Sequence, residues 1–196
     1  MNGLLDWALG EIGFKVTRMA GGVMRAVRGD EALGNHLVLW VHLDRPYIAD
    51  VGFGDGLIEP APIAAGEIRQ KFLTFRLEDM GDGWWRFHND PAGGAPSFDF
   101  RMAQASEALL DERCAWLQSD PLSSFVQNAV VQRHLPNSLA MMRGLLLKTV
   151  GQGEGVREIA SATDYVETLE GVFGLALPNA KTLWPKIQAR HREVFG

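Results

Sequence analysis

The chain is poor in cysteine, in excess positive charge and in long apolar runs, and each shortage excludes something. One cysteine, Cys114, leaves no internal disulfide framework and fits a reducing compartment. Lysine and arginine number 19 against 24 acidic residues, a net charge of −5, and no basic block or basic–aromatic stripe occurs. Nucleic acid is therefore not the expected partner. No uninterrupted apolar run is long enough to span a bilayer, so no membrane partner is expected. The N-terminal stretch MNGLLDWALGEIGF is apolar but carries Asp6 and Glu11 and lacks a basic leader, which makes it a poor signal peptide. A cytoplasmic location is the expectation. There is no internal repeat or low-complexity tract. His88, His134 and His191 lack partners at metal-ligand spacing, so no metal is assigned.

What remains is globular in texture, 46% hydrophobic and 22% charged over 196 residues, enough for a substantial core. Residues 3–13 read as a helix with Leu5, Leu9 and Ile12 in one stripe and Gly13 at its C-terminal end. From Lys15 to Ala103 the pattern predicts short strands: 16–20, 23–27, 36–43, 47–51, 72–77, 84–88 and 98–101. Turn signals separate most of them, which suggests a sandwich or barrel. Residues 106–118 read as a helix capped by Ser106. A segment 125–133 and a hairpin (139–142, 145–150) follow. A helix capped by Thr163 and a last helical segment, 180–195, with Pro185 near its start, close the chain. The fold class is α+β, a β-rich middle and a smaller mixed tail.

The chemistry concentrates in His36–Gly56, HLVLWVHLDRPYIADVGFGDG. His36 opens a strand with apolar residues on both faces, so its ring nitrogens need partners. Asp50 ends the next strand. A carboxylate there would fix the imidazole tautomer and support a positive imidazolium, as thiol activation requires. A tight turn at Asp44–Pro46 pairs Trp40 with Asp50 and leaves His36 about 13 Å along the strand, at roughly 3.4 Å per residue. Contact then needs a longer turn, a bulge or strong coiling. Spacing leaves two readings open: a histidine–aspartate pair, or a core histidine bonded to backbone with Asp50 capping a turn.

Gly52, Phe53 and Gly54 follow, where glycines permit close backbone approach and Phe53 offers a ring. No Gly-Lys-Ser/Thr follows, so this is not a phosphate-binding loop of the Walker type. Leu57 stands where a dinucleotide fingerprint needs its third glycine. Cys114 lies mid-helix in ERCAWLQ, without the helix N-terminus or adjacent base that lowers a thiol's pKa, and reads as structural.

The DVGFG at Asp50–Gly54, the HLVLWV before it, the leading GLLDWALGEIGFKVTRMAGGV, SSFVQNAVVQR at Ser123–Arg133 and the late VETLEGVFGLAL resemble the arylamine N-acetyltransferase family. The resemblance implies a central β-barrel followed by a C-terminal α/β lid, a cysteine-proteinase-like fold. Residues 1–14 would be a remnant of the family's N-terminal helical bundle, 15–103 the barrel, 104–120 an interdomain helix and 121–196 the lid. It implies ping-pong acetyl transfer from acetyl-CoA, as co-substrate, to arylamines, N-hydroxyarylamines or hydrazines. His36 and Asp50 would be catalytic, and Gly52, Phe53 and Gly54 would line the acceptor and coenzyme cleft.

The family's cysteine belongs to an arginine–glycine–glycine–x–cysteine–x–glutamate–x–asparagine signature whose last position Asn2 matches. That cysteine would precede Met1, and Cys114 falls in the linking helix. The chain is therefore expected to be an N-terminally truncated member, inactive alone, with an oligomer forming through apolar surface left by the missing bundle. Further readings are a non-catalytic protein that binds CoA or aromatic ligands or serves as a partner subunit, and a hydrolase-like or structural barrel sharing only the hairpin.

Overall fold

The computed structural model describes residues 1–196 and divides into two compact units, Met1–Trp116 and Leu117–Gly196. The architecture is α+β. The first unit opens with α1 (Asn2–Glu11). Gly13, at φ 92°, ends it: its N–H reaches Gly10 O at 3.0 Å and Phe14 N–H reaches Leu9 O at 2.9 Å. This paired closure needs the left-handed conformation that glycine adopts cheaply.

An eight-stranded antiparallel sheet follows: β1 (Lys15–Val23), β2 (His36–His42), β3 (Pro46–Ala49), β4 (Ala61–Pro62), β5 (Gly66–Gln70), β6 (Leu73–Gly81), β7 (Trp84–His88) and β8 (Ser97–Arg101). Their order is β4-β3-β2-β1-β8-β7-β6-β5. The two edge strands, β4 and β5, are joined by Ile63–Ala65 alone, so the sheet curls almost shut like a barrel. Its interior holds Met19, Val38, Ile48, Phe75, Phe87, Phe98 and Phe100, all nearly or fully buried. The aromatic rings meet at centroid distances of 4.8–6.1 Å.

Both faces of β2 are covered, as its apolar pattern suggested. Val38 faces the interior, while Leu39 and Val41 pack with Ala49 against Leu5 and Leu9 of α1. The expected stripe on α1 is correct for those two leucines. Ile12, assigned to the same stripe, is exposed, as are Leu4 and Trp7.

Two local expectations fail. Of residues 23–27 only Val23 is strand, the last residue of β1: Met24 adopts a left-handed backbone (φ 62°) and precedes α2 (Arg25–Arg28), which turns the chain off β1. The edge strands β4 and β5 lie between the expected strands 47–51 and 72–77 and were not anticipated.

Helix α3 (Glu107–Ser119) spans the boundary between units, with Ser106 Oγ accepting from Leu109 N–H at 3.4 Å. In the second unit, residues 125–133 split into the end of α4 (Ser124–Gln127) and the start of β9 (Val130–His134). Strands β10 (Ser138–Arg143), β11 (Leu146–Gly151) and β12 (Gly155–Glu158) complete a four-stranded sheet, ordered β12-β11-β10-β9. Helix α5 (Ala162–Gly171) is capped by Ser161, whose Oγ accepts from Asp164 N–H at 3.1 Å. Thr163, the expected cap, lies inside the first turn. Helix α6 (Trp184–Phe195) has Pro185 in its first turn, where no intrahelical donor is lost. Tyr165, Leu169, Phe173 and Ile187 form this unit's core with Ala140, Met142 and Ile159.

Candidate active site

The β2–β3 ladder decides whether His36 meets Asp50. Its register pairs His42 with Pro46, Trp40 with Ile48 and Leu39 with Ala49. The turn is Leu43–Arg45, centred one residue earlier than the sequence suggested. Proline tolerates the first position of a strand, so Pro46 joins β3 instead of the turn. Moving the centre by one residue moves the register by two. Asp50 falls beside Val38 instead of Trp40, about 7 Å from His36 along the strand rather than about 13 Å. Such diagonal neighbours on one face are within reach of long side chains. The side chains meet: His36 Nε2 and Asp50 Oδ2 lie 2.5 Å apart, with side-chain exposures of 9% and 1%.

Asp50 also caps a turn, so both readings of its role hold together. Its Oδ1 accepts from Gly52 N–H at 2.8 Å and Phe53 N–H at 3.2 Å. A third donor was not foreseen. Asn2, at the start of α1 and 4% exposed, donates through Nδ2 to Asp50 Oδ1 at 2.8 Å and to Leu37 O at 2.5 Å. Its Oδ1 accepts from Val51 N–H at 2.8 Å. Gly52 leaves room for that amide: a Cβ there would lie 3.0 Å from Asn2 Nδ2. Sequence reasoning used Asn2 only as a signature match, because an asparagine opening a helix reads as a cap.

Burial alone would push the Asp50 carboxyl up. The opposing pull of the His36 charge and hydrogen bond, then of Asn2 and Gly52, wins and holds it below its ordinary value. An ionised Asp50 accepts only, so Nε2 carries the ring proton in this contact. Nδ1 is then the nitrogen with a lone pair to offer in the neutral ring, a base held in one tautomer by a buried carboxylate. The ring is bounded by Phe53 at 5.7 Å and Phe98 at 5.0 Å between centroids. Phe53 also contacts Phe87 at 6.0 Å, so it belongs partly to the barrel's aromatic core. Gly52 is exposed and Gly54 half-buried with φ 86°.

The other candidates lie elsewhere. Cys114 is exposed on α3, whereas the side-chain contacts of His36 are Asp50, Phe53 and Phe98. His42 stacks on Trp40 at 4.2 Å and bonds Thr17 Oγ1 at 2.8 Å. Burial, then Lys15, pushes its pKa down. His88 sits between Glu78 and Arg76 at 2.7 Å from each. His191 accepts from Leu145 N–H at 3.4 Å and lies tilted against Phe195, at 4.9 Å between ring centroids. Asp55 is buried and accepts from Gly94 N–H. Asp99, 1% exposed, is held by both prongs of Arg86 (2.7 and 2.9 Å) and by Arg25 at 3.2 Å. Arg25 in turn lies over Trp84, at 4.0 Å from the ring centroid. Trp84 is thus part of a structural cluster on the barrel wall.

The N-acetyltransferase family model matches residues 1–182. The chain is 29% identical over 203 residues to the arylamine N-acetyltransferase of Mycolicibacterium smegmatis, covering 99% of this chain and 73% of that protein. It is 27% identical over 189 residues to the arylamine N-acetyltransferase / N-hydroxyarylamine O-acetyltransferase of Salmonella typhimurium, covering 92% of this chain and 66% of that protein. Among solved structures, the Mycobacterium marinum arylamine N-acetyltransferase in complex with CoA superposes with a TM-score of 0.81 at 23% identity, over 98% of this chain and 74% of that one.

Proposed function

Because the chain belongs to the N-acetyltransferase family, we propose that His36 and Asp50 are the base and orienting acid of an acyl-transfer site. Its donor is acetyl-CoA and its acceptor an arylamine, N-hydroxyarylamine or hydrazine. The observation that carries this reading is the buried 2.5 Å contact between His36 Nε2 and Asp50 Oδ2. Relatives named for arylamine acetylation, and one neighbour with CoA bound, support the substrate classes.

The chemistry follows from the free lone pair at Nδ1. A thiol brought there loses its proton to Nδ1, and the thiolate adds to the acetyl carbonyl of acetyl-CoA. The coenzyme C–S bond breaks, and the departing thiolate takes the proton from the imidazolium. The amine then attacks the new thioester and gives its proton to Nδ1 as the enzyme thiolate leaves. Asp50 stabilises the imidazolium in both half-reactions. Gly52, Phe53 and Gly54, beside Asp50 and the ring, border the acceptor and coenzyme cleft. Cys114, the one thiol among residues 1–196, stands exposed on α3 and is not assigned the nucleophile's role in this reading.

The test incubates residues 1–196 with acetyl-CoA and a simple arylamine and follows coenzyme thiol release. Background rates are expected, unchanged by Cys114→Ala, since loss of a nucleophile commonly costs several orders of magnitude. Robust turnover that Cys114→Ala abolishes would overturn the assignment. A His36–Asp50 pair with no effect on turnover in a thiol-competent form of the protein would remove the proposal altogether.

A further inference from the structure

We infer that Asn2 is a positioning residue of this site, a strut whose amide holds the Asp50 carboxylate in the orientation that presents Oδ2 to His36. The functional importance of that orientation rests on the acyl-transfer reading; the strut itself is a matter of geometry. The β2–β3 ladder stops at Leu39 paired with Ala49, so strand pairing does not hold Asp50. The two backbone donors to its Oδ1, Gly52 and Phe53, follow it in the same loop and would move with it.

Asn2 is different. It lies 48 residues away, and one amide nitrogen bridges Asp50 Oδ1 and Leu37 O, the carbonyl next to His36. Its oxygen takes Val51 N–H on the other side of Asp50. The amide thus sets the gap between the strand that carries the base and the loop that carries the acid. With three donors on Oδ1, Oδ2 is the oxygen left to meet the ring. The amide orientation is unambiguous, because reversing it would place oxygen against two acceptors. Aspartate at position 2 would make that same error, and leucine would leave three polar groups without their partner. Gly52 completes the design, since a Cβ there would press on the amide nitrogen at 3.0 Å and on Cγ at 3.2 Å.

Nearby charges are directed elsewhere. Asp99 of β8 is taken by Arg86 and Arg25, Asp6 of α1 by Arg18 at 3.1 Å, and Asp55 accepts from Gly94 N–H. Phe53 and Phe98 supply apolar walls. The Asp50 carboxyl and the ring of His36 therefore report on Asn2 with little interference.

The experiment follows the Asp50 carboxyl by carbon NMR against pH, and the His36 ring nitrogens by nitrogen NMR, in the unsubstituted chain and in Asn2→Ala. Losing one donor to the ionised carboxylate should raise the Asp50 midpoint by about 0.5–1 pH unit. The ratio of Nε2–H to Nδ1–H tautomer should fall several-fold. Leu9→Ala, which loosens α1 on the sheet without touching these bonds, should move neither reading. Equal shifts in Leu9→Ala, or none in Asn2→Ala, overturn the proposal. Should Asn2→Ala not fold, Gly52→Ala is measured instead: the displaced amide should shift both readings in the same direction, and an unmoved carboxyl overturns the idea. None of these readings requires turnover, so failure of the acyl-transfer assignment and failure of the strut are separable.

Discussion

Replacing Asp50 by asparagine keeps the shape of the side chain, removes its charge and isolates what the carboxylate does. Asp50 accepts from Asn2, Gly52 and Phe53 through Oδ1 and meets His36 through Oδ2. An amide has one acceptor oxygen. If that oxygen stays with the three donors, an NH2 faces Nε2, and two donors cannot share a 2.5 Å contact. His36 must then move its proton to Nδ1. Turning the amide over strands three donors and is worse. The change exchanges a charge-assisted bond of about 1.5–3 kcal/mol for a neutral one of about 1 kcal/mol. Relief from burying the carboxylate does not offset this, because the native environment already favours the ionised form on balance. A net loss of about 0.5–2 kcal/mol lowers Tm by about 1–8 °C for a chain of this size.

The pH dependence follows from the same balance. Asp50 ionises below its unfolded value of 3.8 in the native protein. Its stabilisation is complete above that unfolded value and is lost as pH falls through the lower native one. The Tm gap between the two chains should hold its full width above about pH 4 and narrow as pH falls further. Thermal unfolding by circular dichroism measures the gap, and ring-nitrogen NMR reads the tautomer. A gap that stays constant from about pH 7 to about pH 3, or an Asp50→Asn protein in which Nε2 keeps its proton, refutes the reasoning.

Two further perturbations probe the scaffold around the site. Arg86→Ala strips both prongs from the buried Asp99 but leaves it Arg25 at 3.2 Å, so denaturant unfolding should show a loss of about 1.5–3 kcal/mol; Arg86→Lys should recover part of it, since an ammonium cannot engage both oxygens in the same planar fork. In the second unit, Leu169→Ala removes a side chain 3% exposed among Tyr165, Phe173 and Ile187 and should cost about 2–5 kcal/mol, read by the fluorescence of Trp184, which lies 6.2 Å from Tyr165.

Strands with strong pattern were readable from the residues. β2, β7 and β8 occupy nearly the expected spans because alternation and flanking turn residues point the same way. Elements that depend on tertiary support were not. β4 and β5 exist because the curling sheet needs edges, and nothing in Pro60–Gly66 announces them. Met24 takes a left-handed conformation that its side chain disfavours, so the pattern ran on through Val27 as a strand. Ser161 and Thr163 are chemically equivalent caps, and only the turn geometry chooses between them.

The site shows the same division more sharply. Residue types identified the histidine and the aspartate, but their sequence separation of fourteen does not set their distance. In a hairpin the distance depends on where the turn is centred, and an error of one residue there doubles along the ladder. Asp44 and Pro46 are both turn formers, so the sequence favours a centre at Arg45; the ladder prefers Pro46 as a strand residue and brings the pair into contact. The choice between histidine partner and turn cap was equally unreadable, because a carboxylate has two oxygens and each reading used one. Asn2 explains why both can hold at once. By fixing Oδ1 within the turn it assigns Oδ2 to the histidine, and that division of labour depends on an amide 48 residues away rather than on any local pattern.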